Sequence, residues 1–299
     1  MHDQWLIKVY SENPTVKISD SNLFKHEFPI SSLMNNSNII TVKSLSKAFN
    51  GLKAVDNISF SVKTGEIFAF LGPNGAGKST TIRMMTTLLK PDSGEILMVG
   101  HNPVTDSNEV RKTFGIVFQD PSLDDELTAF ENMEYHGILY SVPVATMTTR
   151  IEQLLKIVEL WDRKSELVKR FSGGMKRRLE IARGLLHHPK ILFLDEPTLG
   201  LDPQTRNHIW NHIKELNKSE KITVFFTTHY MEEAERVADR IAIIDHGKIV
   251  AQGTSSELKK KTHKKYLEDA FIALTGKAIR EQEAGSIDMM RMRRRMWRR

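Results

Sequence analysis

Gly72-Pro73-Asn74-Gly75-Ala76-Gly77-Lys78-Ser79-Thr80 sets the reading of this chain. The apolar run Ile67–Leu71 precedes it, and a stretch of helical character, Thr80–Leu89, follows. The order is strand, Gly-rich loop, helix, with the spacing G-x-x-x-x-G-K-S. A polyphosphate carries several negative charges in a small volume, and only backbone packs closely around it. Glycine is therefore needed where a Cβ would clash. The loop N–H groups and the positive end of the following helix point at the phosphates. Lys78 adds a point charge for the β- and γ-phosphates, and the Ser79 hydroxyl is a Mg²⁺ ligand. A Gly-rich turn that binds nothing is the competing reading. The Lys-Ser pair and the flanking elements favour nucleotide binding.

Further chemistry follows downstream. Ile191-Leu192-Phe193-Leu194-Asp195-Glu196-Pro197 is an apolar strand ending in two carboxylates, a pattern of strands buried on both faces of a parallel sheet. Asp195 is placed to hold Mg²⁺ through water, and Glu196 to polarise an attacking water, which is what in-line hydrolysis of a phosphate requires. Gln119 follows the short strand Phe114–Phe118. It is either a reach to Mg²⁺ or the attacking water, or an ordinary surface residue. His229 ends the buried strand Ile222–Phe226 and its Thr227-Thr228 extension, where a γ-phosphate contact is favoured over a structural role. Ser172-Gly173-Gly174 at a helix start is a second anion site by the same physics, or a plain N-cap. Phe49 lies between the strands Ile39–Lys43 and Ala54–Val62; it stacks on a purine or seals a small β-layer.

Composition narrows the classes. At 299 residues, length suggests about two domains, and 40% apolar residues suffice for a core. With no cysteine there is no disulfide framework, thiolate metal site or Cys nucleophile. No apolar run approaches the ~20 residues that span a bilayer, and Met1-His2-Asp3-Gln4-Trp5-Leu6 is not a secretory start. The expected location is cytoplasmic. Net charge is +6, of which residues 277–299 carry +5. The near-neutral remainder argues against a nucleic-acid surface. The tail itself reads as a solvated end first, contact with anionic lipid second, and nucleic-acid binding last.

The rest of the chain supplies a frame. Residues 1–37 are polar and aperiodic, and are expected to be flexible; Met34 is a candidate natural start. Ile96–Val99 and Phe114–Phe118 read as short buried strands. Glu126–Leu139 and Ile151–Trp161 have helical spacing, marking a helical insertion within an α/β domain. Gly200-Leu201-Asp202-Pro203 is a tight turn. Asp245-His246-Gly247-Lys248 links two strands as a hairpin, Thr254–Glu257 is a capping box, and Glu268–Thr275 is a last helix. There is no internal repeat.

This ordered series resembles the ATP-binding subunit of ABC transporters over about residues 38–276. The resemblance makes Gly72–Thr80 the Walker A loop, Gln119 the Q-loop residue and Phe171–Met175 the signature. It makes Ile191–Glu196 Walker B, puts Asp202 in the D-loop, and makes His229 the H-loop histidine and Phe49 the adenine-stacking aromatic. Met175 replaces the signature's usual Gln and Phe171 its usual Leu. The resulting S-G-G-M is similar to the subgroup of daunorubicin-type drug exporters and nodulation exporters. The resemblance implies a RecA-like α/β P-loop core with an antiparallel β subdomain, and ATP and Mg²⁺ as ligands. The expected domains are the ATP-binding domain over 38–255, with a helical insertion over about 122–185, and a C-terminal helical extension over 256–280; the basic tail over 281–299, whose Arg-rich end lies outside the resemblance, is expected to be disordered. The resemblance also implies a homodimer enclosing two ATP, separate membrane-spanning permease subunits that carry a substrate outward, and a place on the inner face of the membrane through them. The alternative is a soluble ABC-type ATPase in a non-transport assembly such as iron–sulfur cluster biogenesis.

Overall fold

β3 (Ile67–Leu71) is buried at every residue because both of its faces are covered. Side chains alternate across a strand. Phe68 and Phe70 enter one hydrophobic cluster, while Ile67, Ala69 and Leu71 enter another. The same alternation sorts Phe193 from Leu192 and Leu194, and Phe225 from Val224 and Phe226. β3 lies within a six-stranded sheet ordered β5-β6-β7-β3-β8-β9. Its members are β5 (Phe114–Val117), β6 (Ile191–Asp195), β7 (Thr223–Thr228), β8 (Arg240–Asp245) and β9 (Lys248–Gly253). All pairings are parallel except β8 with β9. The computed structural model describes residues 38–276. The expectations for residues 1–37, for Met34 and for the tail, including its lipid contact, lie outside the described residues.

A second, antiparallel sheet covers one face. It is ordered β2-β1-β4, from β1 (Asn38–Phe49), β2 (Leu52–Lys63) and β4 (Ser93–Met98). Phe60 of β2 lies 5.4–5.9 Å, centroid to centroid, from Phe68, Phe70 and Phe225. Such aromatic pairs contribute about 0.5–1.5 kcal/mol each beyond their buried area, and they bind the two sheets together. α1 (Lys78–Met85) adds Ile82, Met84 and Met85 to this core.

Helices cover the other face: α3 (Ala129–Leu139), α4 (Val144–Ile157), α5 (Gly173–Gly184), α6 (Pro203–Glu220) and α7 (Met231–Val237). α2 (Ser107–Thr113) leads into β5, and α8 (Ser255–Thr262) and α9 (Leu267–Thr275) close the described chain. Several bounds differ from the sequence reading. α3 starts at Ala129 rather than Glu126, because Thr128 and Glu131 form a reciprocal capping box. α4 starts at Val144 and ends at Ile157, and Trp161–Arg163 is a separate 3₁₀ turn. Phe49 is the last residue of β1, paired with Leu52, rather than part of a connection. Ile96–Met98 belongs to the antiparallel sheet, with Met98 opposite Ile40.

Candidate functional site

Strand register builds the site. Leu71 pairs with Thr228, and Asp195 with Thr227, in three neighbouring strands ordered β6-β7-β3. The residues just beyond, Glu196, His229 and Gly72, therefore meet at the carboxyl edge of the sheet, where open α/β sheets bind ligands. Gly72 N–H donates to Thr228 O at 3.2 Å, which fixes the root of the loop. Gly77 ends it at φ 107°, where a Cβ would stand 2.4 Å from the Ala54 carbonyl oxygen. Only glycine fits there. Asn74 and Gly75 are exposed at the crest, Ala76 is buried, and Pro73, Ser79 and Thr80 are half-buried.

Lys78 is only 4% exposed. Its ammonium curls back over the loop, donating to Gly72 O at 2.7 Å and Pro73 O at 3.2 Å. It also pairs with Glu196 Oε1 at 3.0 Å. The other carboxylate oxygen of Glu196 lies 3.1 Å from His229 Nδ1. Burial pushes the Glu196 carboxyl up, but the His229 hydrogen bond and the Lys78 charge outweigh it and hold the group at about 2. Glu196 sits at φ 49°, a left-handed conformation that costs a non-glycine residue about 1–2 kcal/mol. Its N–H donates to Thr227 O (3.2 Å) and Thr227 Oγ1 (3.0 Å), which hold it there. Asp195 Oδ1 accepts from Thr227 Oγ1 at 2.6 Å and from Ser79 Oγ at 3.2 Å.

Gln119 lies exposed just past β5, and its carbonyl accepts from Arg177 at 3.0 Å. Phe49 is 46% exposed at the end of β1, with the Lys47 ammonium 5.7 Å from its ring centre. Ser172 and Gly173 are exposed at the start of α5, where the Ser172 hydroxyl accepts from Met175 N–H at 3.3 Å. Gly174 is buried against α6; a Cβ there would lie 2.4 Å from Thr205 Cγ2. Asp202 caps α6, accepting from the N–H groups of Gln204 and Thr205 at 3.0 Å each. The starts of α5 and α6 thus lie side by side, around a cavity of about 230 Å³ lined in part by Ser172, Arg178 and His208. Among the described residues, no hydrogen bond or ion pair joins this second group to Lys78 or Glu196.

Some contributors escaped the sequence reading. Thr227 bridges both carboxylate residues, and Glu233 accepts from Thr228 Oγ1 at 3.0 Å and from Thr198 Oγ1. Threonines at a strand end read as β-formers, and nothing in spacing reveals that their hydroxyls turn inward.

The ABC transporter family matches residues 55–199. The chain is 44% identical over 220 residues to the daunorubicin/doxorubicin resistance ATP-binding protein of Streptomyces peucetius, covering 74% of this chain and 66% of that one. It is 42% identical over 243 residues to the linearmycin resistance ATP-binding protein of Bacillus subtilis, covering 81% and 76%. The chain belongs to the ABC transporter family. An ATP-binding subunit of an ABC transporter superposes with TM-score 0.72 at 30% identity, over 79% of this chain and 99% of that chain. A dimeric, post-hydrolysis ATP-binding cassette with bound ADP and Pi superposes with TM-score 0.65 at 29% identity, over 72% and 98%. This ABC subunit has the α/β fold of a P-loop ATPase; it binds ATP and hydrolyses it. Relatives named for resistance do not favour the non-transport alternative.

Proposed function

We propose that two copies of this chain close around two ATP molecules and drive export through separate membrane-spanning subunits. The exposed Ser172-Gly173 turn carries this reading. It starts a 12-residue helix, offers backbone N–H groups to an anion, and, among the described residues, is joined by no hydrogen bond or ion pair to its own Lys78 loop. A γ-phosphate held by a second copy is the anion it fits. A two-fold dimer then makes two complete sites from one loop and one turn per chain. The dimeric relative supports this, and the resistance relatives support export.

In this reading Gly72–Thr80 wraps the phosphates, Phe49 stacks on adenine, and Asp202 orders the turn at the subunit boundary. Lys78 moves its charge from Glu196 to phosphate. Glu196 then loses one of the two contacts that depress it, becomes more basic, and takes the proton of the attacking water. His229 keeps Glu196 oriented and reaches the γ-phosphate. The Ser79 hydroxyl and Asp195 carboxylate, 3.2 Å apart, are hard oxygen donors of the kind Mg²⁺ takes beside substrate phosphates, with Gln119 as a third. Mg²⁺ held there supplies charge neutralisation at the β- and γ-oxygens.

The membrane partner docks on the helical region between β5 and α5. A cavity of about 450 Å³ there is lined by Ser122, Asn132, Tyr135, His136, Leu139 and Arg183, among others, and Ile138 and Leu139 stand exposed beside it. No helix among the described residues is long and apolar enough to cross a membrane. The proposed place is the inner membrane face, reached through that partner.

The test replaces Ser172 by Ala and Gly173 by Asp together. Nucleotide binding by the monomer is expected to persist, while ATP-induced dimer formation, followed by light scattering, disappears. Unchanged dimer formation rejects the composite site.

A further inference from the structure

Two buried charges on α5 have no part in the chemistry described so far. Arg177 is 7% exposed and Glu180 is 2% exposed, and they pair at 3.0 Å one turn apart. Burying such a pair is unfavourable unless its remaining donors and acceptors are all used. Here they are used on one short segment. Arg177 donates to Phe118 O at 2.5 Å and to Gln119 O at 3.0 Å. Glu180 accepts from Ser122 N–H at 2.7 Å and from Ser122 Oγ at 3.3 Å. Arg183, one turn further on, donates to Ser122 O at 2.9 Å. The segment from Phe118 to Ser122 lies beyond β5 in neither helix nor strand. Four of its backbone groups, Phe118 O, Gln119 O, Ser122 N–H and Ser122 O, take partners on α5. The same helix begins at Ser172, about 7.5 Å along its axis from Arg177 at 1.5 Å per residue.

We infer that Arg177 and Glu180 are positioning residues that lock the Gln119 segment to the helix bearing Ser172, so that both move as one body. The inference rests on the roles proposed above for Gln119 and Ser172. An apolar pair at these positions would pack α5 equally well but would leave Gln119 free to drift. A displacement of about 1 Å at a positioning group lowers turnover by up to about 10²-fold.

The experiment is a mutant cycle on the full chain. Arg177→Met with Glu180→Met removes both charges together and keeps side-chain volume, so the fold is expected to survive. The maximal ATPase rate at saturating ATP and Mg²⁺ should fall about 10- to 100-fold, with ATP affinity within about twofold because Lys78 and its loop are untouched. Amide exchange at Ser122 should accelerate. Gln119→Ala alone should lower the rate comparably, and adding it to the double variant should cause no further loss. A double variant that turns over like the parent overturns the inference, as does a Gln119→Ala effect that multiplies in full. If Gln119→Ala alone changes nothing, the role of Gln119 is wrong and the inference falls with it, while Glu196→Gln still tests the site separately. Should the double variant not fold, Arg177→Lys keeps the charge but lacks the two-pronged donor. It is expected to lose about tenfold in rate with the same non-additivity, and a parental rate overturns the inference.

Discussion

The carboxyl edge of the sheet and the paired helix starts at Ser172 and Asp202 differ in how far their polar groups are satisfied within the chain. At the sheet edge every charged group has a partner within the chain. Lys78 is met by Glu196, Glu196 by His229, and Asp195 by Ser79 and Thr227. At the helix starts the side chains only cap their own helices, and Ser172 and Gly173 face outward. A buried, self-satisfied cluster holds its geometry without help, and in the proposed function its contacts are exchanged for substrate. The exposed start at Ser172 makes only its own capping contacts, and in the proposed dimer it needs no such exchange. In the function proposed above, this difference gives chemistry to the first region and assembly to the second.

The largest expected break in that contrast is Glu196→Gln. Loss of a positioned general base should slow turnover by roughly 10²–10⁴ while ATP still binds and the ATP-bound dimer accumulates. Near-normal ATPase in this variant would remove Glu196 from the chemistry. Next is Lys78→Ala. Loss of a charge-assisted contact of about 1.5–3 kcal/mol should weaken ATP binding by roughly 10- to 100-fold in a direct titration. An unchanged dissociation constant means the lysine serves only its internal partner. A subtler effect concerns acid. The Glu196 carboxyl is lowered from 4.5 to about 2, so its contribution to stability is fully present above about pH 4.5 and is lost as pH falls through about 2. The denaturation midpoint of Glu196→Gln should thus lie below that of the parent at neutral pH and converge on it in strong acid. A gap independent of pH would show that the carboxylate charge is not what stabilises the edge. Smallest is Thr128→Ala, which removes the cap of α3 in the helical region. About 1 kcal/mol of stability should be lost with ATP affinity unchanged. A shift in affinity would mean that α3 is coupled to the sheet edge.

Much of the sheet edge was legible in the sequence. Glycine spacing, a lysine after it, and an apolar run closed by two carboxylates each need a particular local geometry, and each run of residues carries that requirement with it. The helical region was less legible. Apolar periodicity located α3 and α4, but their starts at Ala129 and Val144 depended on a cap and on Pro143, which periodicity does not see. α6 and α7 carry apolar positions at helical spacing too, such as Ile209, Ile213 and Leu216, and Ala234 and Val237, between long polar stretches.

The sequence by itself determined where the Gly-rich loop, the strand-end carboxylates and the helix start occur and in what order, because each is a local structure set by a few neighbouring residues. Only the tertiary structure decided how those groups are distributed. Strand order placed Lys78, Glu196 and His229 in contact across separations of 33 to 118 residues, and left Ser172 exposed on a helix of its own. Parallel pairing through crossovers carries no signal within any one segment, so the partners of each charge, and the exposure of Ser172, follow from packing alone.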